Sequence, residues 1–324
     1  MMKLPRFVQM DSVPVQSHQE ELNQTLQAQR AFVAPKYFYN ELGSKLFEAI
    51  TCVPEYYPTR TEASILHARR AELRTLLPHE ATLIDLGAGN CKKAVALFDV
   101  IRPEHYVAID ISAEFLRQAL EAIQREYPHM DLTGLGTDFS NHLELPDSLG
   151  IDPKSPKLFF YPGSSISNFT PEEALGFLTR IRTLCEHTPG SGLLIGVDLV
   201  KDKKVLEAAY DDALGVTAAF NRNALLNINS NNQTNFALEQ WAHLALFNTE
   251  QSRIEMHLQA KCDLELRWNQ GQRLFTKGDT IHTENSYKWL ESEFESVLKK
   301  AGFTRTRAFM DDQNWFSVIW ATCE

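Results

Sequence analysis

Apolar positions along this chain follow two periods in alternation. Continuous apolar runs at 81–86, 105–109, 132–136, 157–161 and 192–200 predict buried strands. Between them, residues 92–101 carry helical spacing, as does the stretch from Ser112 with Phe115, Leu116, Ala119, Leu120 and Ile123. Ser112 is placed as the N-cap of that second helix. Thr170-Pro171-Glu172-Glu173 reads as a capping box with proline at the first helical position, opening a helix to Cys185. Residues 61–80 form a further helix through Leu66, Ala68, Ala71 and Leu73. Such alternation predicts an α/β fold with a parallel sheet and right-handed crossovers.

Residues 201–285 break the pattern. They are rich in Asn and aromatics, and within them only 262–268 looks extended. The stretch is too long for a loop in a compact domain, so it predicts an inserted, mostly helical lobe. Alternation resumes with a helix over 285–301, ended by Gly302 as C′. Strands at 303–310 and 316–322 follow, joined by Asp311-Asp312-Gln313-Asn314 as an antiparallel hairpin. Residues 1–60 do not fit the sheet and are assigned to the second lobe. The expected organisation is therefore 61–200 and 286–324 in one domain, with 1–60 and 201–285 in the other.

The first strand runs into Asp85-Leu86-Gly87-Ala88-Gly89-Asn90, and the second ends in Asp110. Glycines at 87 and 89 allow a sharp turn and close approach of backbone to a ligand. An acid at the end of the second strand suits ribose hydroxyls. The turn lacks the third glycine of a dinucleotide fingerprint, since Lys92 stands there. It looks more like the S-adenosylmethionine site of class I methyltransferases, whose Rossmann-like sheet ends in a similar hairpin. A tight strand–helix turn in another α/β domain is the plainer reading.

The 324 residues carry a formal net charge of −10, which disfavours a nucleic-acid partner. Five scattered cysteines suggest reduced thiols and a cytoplasmic location, and no cysteine or histidine spacing implies a metal. No apolar signal core and no membrane-spanning run is present. The absence of a heptad seam favours a monomer.

Several longer stretches resemble one family. They include 35–44, 54–62, 163–171, 198–202, 209–212, 220–223, 253–256 and 283–286. Together they are similar to the histidine-specific Nα-methyltransferases of ergothioneine biosynthesis, over nearly the whole chain from about 30 to 322. The resemblance implies a substrate pocket for L-histidine and its mono- and dimethyl forms. It would be built from Tyr39, Tyr56, Asn168, Tyr210, Met256, Glu284 and Ser286. It also implies S-adenosyl-L-methionine held by Gly87, Lys93, Asp110, Asp138 and Phe139. The expected reaction is Nα-trimethylation of L-histidine, with another aromatic amino acid such as a tryptophan derivative as the alternative substrate.

The chemistry suits these residue types. Tyr39 would orient the amine and help it lose its proton, though it could equally be a core aromatic. Asn168 follows the strand ending at Tyr161, on the ligand edge of the sheet, and could instead cap a local turn. Tyr210 would donate to the substrate carboxylate or simply pack. Glu284 would accept a ring N–H, with Ser286 beside it and Tyr56 on the far nitrogen. Without the resemblance, Glu284 is a helix-start acid, Met256 is core packing and Lys93 is a surface lysine.

Overall fold

The computed structural model of the chain describes residues 3–10, 15–140, 142–186 and 188–323. The other positions, which fall inside the expected segments 1–60, 61–200 and 286–324, lie outside the described residues. The chain divides into two compact units: Met1–Met10, Pro58–Val200 and Lys288–Glu324 form one, Asp11–Tyr57 and Lys201–Tyr287 the other.

The first unit is built on one sheet. Its strands β1 (Arg6–Gln9), β2 (Thr82–Leu86), β3 (His105–Asp110), β4 (Asp131–Gly136), β5 (Lys157–Tyr161) and β6 (Gly192–Asp198) pair in parallel in the order β1-β4-β3-β2-β5-β6. β2, β3 and β6 are buried along their whole length, which is why they read as unbroken apolar runs. Leu83, Tyr106, Ala108, Leu158, Phe160 and Leu194 pack there against Leu116 and Leu120 of the helix Ala113–Glu126.

The chain then forms the strands of the second unit: β7 (Trp241–Asn248), β8 (Arg253–Ala260), β9 (Leu264–Trp268), β10 (Gly271–Phe275) and β11 (Thr280–Tyr287). It returns to the first sheet with β12 (Arg305–Met310) and β13 (Phe316–Thr322). β13 lies antiparallel between β6 and β12, the hairpin ending expected for a class I methyltransferase sheet. At the root of the insertion, Lys288 Nζ meets Asp198 Oδ2 at 2.8 Å, both side chains buried. The Trp289 N–H donates to the Asp198 carbonyl, and the Val200 N–H to the Trp289 carbonyl, so the departing and returning segments are laced together.

The second unit is not mostly helical. β11-β8-β7 form a three-stranded antiparallel sheet and β10-β9 a hairpin, alongside helices Glu41–Ile50, Lys203–Tyr210 and Val216–Asn232. β8 alternates strictly in burial, with Ile254, Met256, Leu258 and Ala260 inward. The expected helix over 285–301 is likewise two elements, β11 and the helix Glu291–Lys300. Pairing with β8 holds 284–287 extended, overriding their local spacing.

Three smaller expectations also change. Arg6–Gln9 joins the main sheet rather than the second lobe, and Gly134 leaves room for the Phe7 ring, which a Cβ there would meet at 2.7 Å. The helix over 92–101 splits into Lys92–Val95 and Phe98–Ile101, because Leu97, Phe98, Val100 and Ile101 all bury and no single stripe serves them. The helix over 61–80 is found as Tyr57–Ala68 and Arg70–Leu76, the latter ending before Pro78. The capping box is present: Glu173 N–H donates to Thr170 Oγ1 at 3.2 Å and Thr170 N–H to Glu173 Oε2 at 2.8 Å. Among the described residues no helix is long and apolar enough to cross a membrane.

Candidate active site

The carboxyl ends of β2, β3 and β4 bring the expected cofactor residues to one edge of the first unit. Gly87 and Gly89 turn the chain after β2 with φ of +70° and +52°. A Cβ on Gly89 would meet nothing within 4 Å, so the turn presents bare backbone to open space. Asp110 stands beside it at the end of β3. Its Oδ2 accepts from the Gly89 N–H and its Oδ1 from the Ser112 N–H, each at 2.8 Å. Ser112 thus does not cap the next helix through its side chain. The Ile111 N–H bears on the same carboxyl, and three donors on its roughly four lone-pair sites leave acceptor capacity for an outside hydroxyl. Burial raises the Asp110 carboxyl above its ordinary value, against the pull of the backbone donors.

Asp85 lies behind the turn, 1% exposed. Tyr106 Oη donates to its Oδ2 at 2.7 Å, while Oδ1 has no partner among the described residues. Burial pushes Asp85 up to about 7, with the Tyr106 hydrogen bond opposing. Phe139 follows β4, and its Cζ lies 3.8 Å from where a Gly87 Cβ would stand. Its ring packs against Tyr161 and Phe177, each at 6.0 Å. Asp138 is exposed next to it. Lys93, after β2, pairs with buried Glu62 at 2.7 Å, and Glu62 also accepts from the Gly163 N–H after β5. Bare glycine backbone, a carboxylate with spare lone pairs, an apolar ring and a lysine fit a nucleoside bearing an amino-acid tail. Asn168 ends a short 3-10 turn, Ser165–Asn168, in this same unit.

Six of the seven expected substrate residues cluster in the second unit. Tyr39 packs edge-on against Phe47 at 6.2 Å, Phe47 against Tyr56 at 6.4 Å, and Tyr56 against Tyr210 at 6.3 Å. Tyr210 Oη shares a hydrogen bond with Ser286 Oγ at 2.7 Å. Glu284 on β11 pairs with Met256 on β8, and both are buried. A bulge between His282 and Glu284 shifts the register, so Thr283 and Glu284 both turn inward. Glu284 is therefore a strand residue beside Met256 and Ser286, not a helix-start acid.

Supporting residues had no clear signal in the sequence. Asn223 Nδ2 donates to the Phe38 carbonyl at 3.2 Å and to Asn40 Oδ1 at 2.9 Å, holding the backbone before Tyr39 and the side chain after it. Gly43 permits this closeness, since a Cβ there would fall 1.7 Å from the Phe38 carbonyl oxygen. His243 Nε2 bonds the Tyr210 carbonyl at 2.8 Å, and Asn221 Nδ2 bonds His243 Nδ1 at 2.8 Å. Those partners require neutral His243 with its proton on Nε2. Burial lowers its pKa accordingly. Glu62 lies within a stretch of family resemblance, but nothing local marks it as buried.

Comparison with known proteins gives the family. The chain is 37% identical over 297 residues to the histidine N-alpha-methyltransferase of Mycolicibacterium smegmatis, covering 88% of each chain. It is 38% identical over 291 residues to that of Mycobacterium tuberculosis, again covering 88% of each. It is 31% identical over 274 residues to ergothioneine biosynthesis protein 1 of Neurospora crassa, covering 82% of this chain and 30% of the fungal one. The profile of the histidine-specific, S-adenosylmethionine-dependent methyltransferases matches residues 18–323. With that match over almost its whole length, the chain belongs to the histidine-specific, S-adenosylmethionine-dependent methyltransferase family.

Proposed function

We propose that this enzyme places three methyl groups in succession on the α-amine of L-histidine, giving N,N,N-trimethyl-L-histidine as a step of ergothioneine biosynthesis. The observation that carries the reading is the connected cluster Tyr39, Tyr56, Tyr210, Ser286, Glu284 and Met256 within one unit. It offers hydroxyls, one carboxylate and an apolar wall, the set an amino acid with an imidazole ring requires. The names of the mycobacterial and fungal relatives support the same substrate and pathway.

In this reading the first unit binds the cofactor, and six residues of the second, with Asn168 of the first, bind the amino acid. When bound, S-adenosylmethionine supplies an electrophilic methyl on a sulfonium. Asp110 would accept from the ribose hydroxyls, Gly87 and Gly89 would give backbone contact, and Lys93, Asp138 and Phe139 would complete the hold on the cofactor. Tyr39 orients the amine lone pair and takes its proton toward water, with Asn168 bonding amine and carboxylate. Tyr210 donates to the carboxylate. Glu284 accepts a ring N–H beside Ser286, and Tyr56 bonds the other ring nitrogen.

Each transfer forms an N–C bond, breaks an S–C bond and turns the sulfonium into a thioether. A proton must leave the nitrogen before the next. Alignment alone can supply about 7–11 kcal/mol of the barrier. The series ends chemically, because a quaternary ammonium has no lone pair. Counting methyl groups on histidine by mass tests the proposal, and a product stopping at one methyl would contradict it.

We also read the enzyme as a cytoplasmic monomer acting on a small molecule, without a nucleic-acid partner. The five free cysteines and the net charge of −10 support this. The mass in solution, measured by light scattering, would contradict it by showing a dimer.

A further inference from the structure

The strand order of the main sheet reverses between β2 and β5, with β3 and β4 on one side and β6 on the other. In open α/β sheets ligands sit outside the carboxyl ends at this switch point. One carboxylate bridges it. Glu62, on the helix Tyr57–Ala68, is 1% exposed. Its Oε2 accepts from Lys93 Nζ at 2.7 Å, on the segment after β2. Its Oε1 accepts from the Gly163 N–H at 2.8 Å, on the segment after β5.

The surroundings are shaped for this bridge. A Cβ on Gly196 of β6 would fall 2.1 Å from Glu62 Oε1, and one on Gly163 would fall 2.9 Å from Lys93 Nζ. Two separate glycines therefore clear room for one carboxylate and its lysine. Stability alone gives no reason for the arrangement, because a buried ion pair contributes little beyond what apolar packing of equal volume would. The Lys93 side chain also stays 33% exposed, so it is anchored at its tip without being sealed from solvent along its length.

We infer that Glu62 is a positioning residue for the cofactor: it fixes the Lys93 ammonium and the Gly163 backbone across the switch point before the cofactor arrives. This rests on the reading of Lys93 as a cofactor ligand. Lysine has a flexible four-carbon stem, and an unanchored one must be ordered on binding. S-Adenosylmethionine carries a net positive charge, so deleting a nearby negative charge weakens its binding further.

Calorimetric titration of the full chain with S-adenosylmethionine tests this, using wild type, Glu62→Gln, Lys93→Met, the double variant and Asp110→Asn. Glu62→Gln keeps the shape and an acceptor for the Gly163 N–H, and affinity should fall about tenfold or more. In the Lys93→Met background the same change should cost less than about twofold, since the two act as a unit. A purely structural Glu62 would give equal losses in both backgrounds, and that would overturn the inference. So would unchanged affinity in Glu62→Gln while Asp110→Asn binds weakly. If Asp110→Asn also binds normally, the cofactor reading itself fails and the inference with it. Should Glu62→Gln not fold, Glu62→Asp keeps the charge but withdraws it from Lys93 Nζ and the Gly163 N–H, and should weaken binding similarly. Unchanged affinity there would equally overturn the inference.

Discussion

Tyr210 Oη and Ser286 Oγ stand 2.7 Å apart, joining the last residue of the helix Lys203–Tyr210 to β11. The Tyr210 main chain is itself pinned by His243. Two side chains far apart in sequence therefore act as one polar element. Tyr210→Phe and Ser286→Ala should each weaken histidine binding by about 0.5–1.5 kcal/mol, the range for a neutral hydrogen bond. The double variant should lose less than the sum, because either single change already breaks the shared bond. Calorimetry with histidine measures all three, and strict additivity would show that the two hydroxyls act separately.

Tyr39 is placed by its neighbours, with Asn223 fixing residues 38 and 40. Tyr39→Phe keeps the ring and its packing on Phe47 and Phe220 but deletes the hydroxyl. Turnover should fall more than histidine affinity, since the group acts on the reacting nitrogen. Equal kcat in the two enzymes across a range of pH would remove Tyr39 from the proton path.

Buried titratable groups give opposing pH effects. His105 and His282 are held down to about 4 by burial. Depressed histidines leave stability intact above their ordinary value of 6.5, and that stability is lost as pH falls toward 4. Asp85 acts the other way. Its value rises from 3.8 to about 7, so its ionisation penalises the fold increasingly as pH rises through that window. Asp85→Asn isolates this effect. The Tm of the variant relative to wild type should be higher at pH 8 than at pH 4, and a pH-independent difference would refute it.

Glu284 faces the same side of the sheet as Met256 and Ser286. In the proposed role, accepting an imidazole N–H, it would make a charge-assisted bond. Glu284→Ala should lower kcat/KM for histidine by about one to two orders of magnitude, leaving cofactor affinity unchanged. Combined with Met256→Val, it should raise relative activity on tryptophan or phenylalanine. A histidine-to-tryptophan ratio that stays fixed in both variants would place specificity elsewhere.

The cofactor half of this enzyme was legible because its strands are buried on both faces and its turn needs glycine at positive φ. Gly87, Gly89 and Asp110 show themselves by residue type alone. The second unit was not, although Arg253-Ile254-Glu255-Met256-His257-Leu258-Gln259-Ala260 alternates perfectly. Its partner β11 carries a bulge that breaks the period at Thr283 and Glu284. The helix Val216–Asn232 falls in the lobe expected to be helical, but the roles of its asparagines carry no local signal. In the fold, Asn221, Asn223 and Asn227 hydrogen-bond distant main-chain atoms from within a helix. Those partners are tertiary, and local propensity does not register them. Glu62 escaped notice for the same reason: its burial depends on Gly163 and Gly196, remote in sequence.

The central claim is that the α-amine of histidine receives three methyl groups. The most direct measurement incubates the protein with S-adenosylmethionine and each of the twenty amino acids, resolving products by mass and locating the methyls by fragmentation. Histidine alone should be methylated at an appreciable rate, with all methyls on the α-nitrogen and the trimethyl product accumulating. Methyls on the imidazole ring, a series ending at the mono- or dimethyl form, or faster reaction with tryptophan would contradict it.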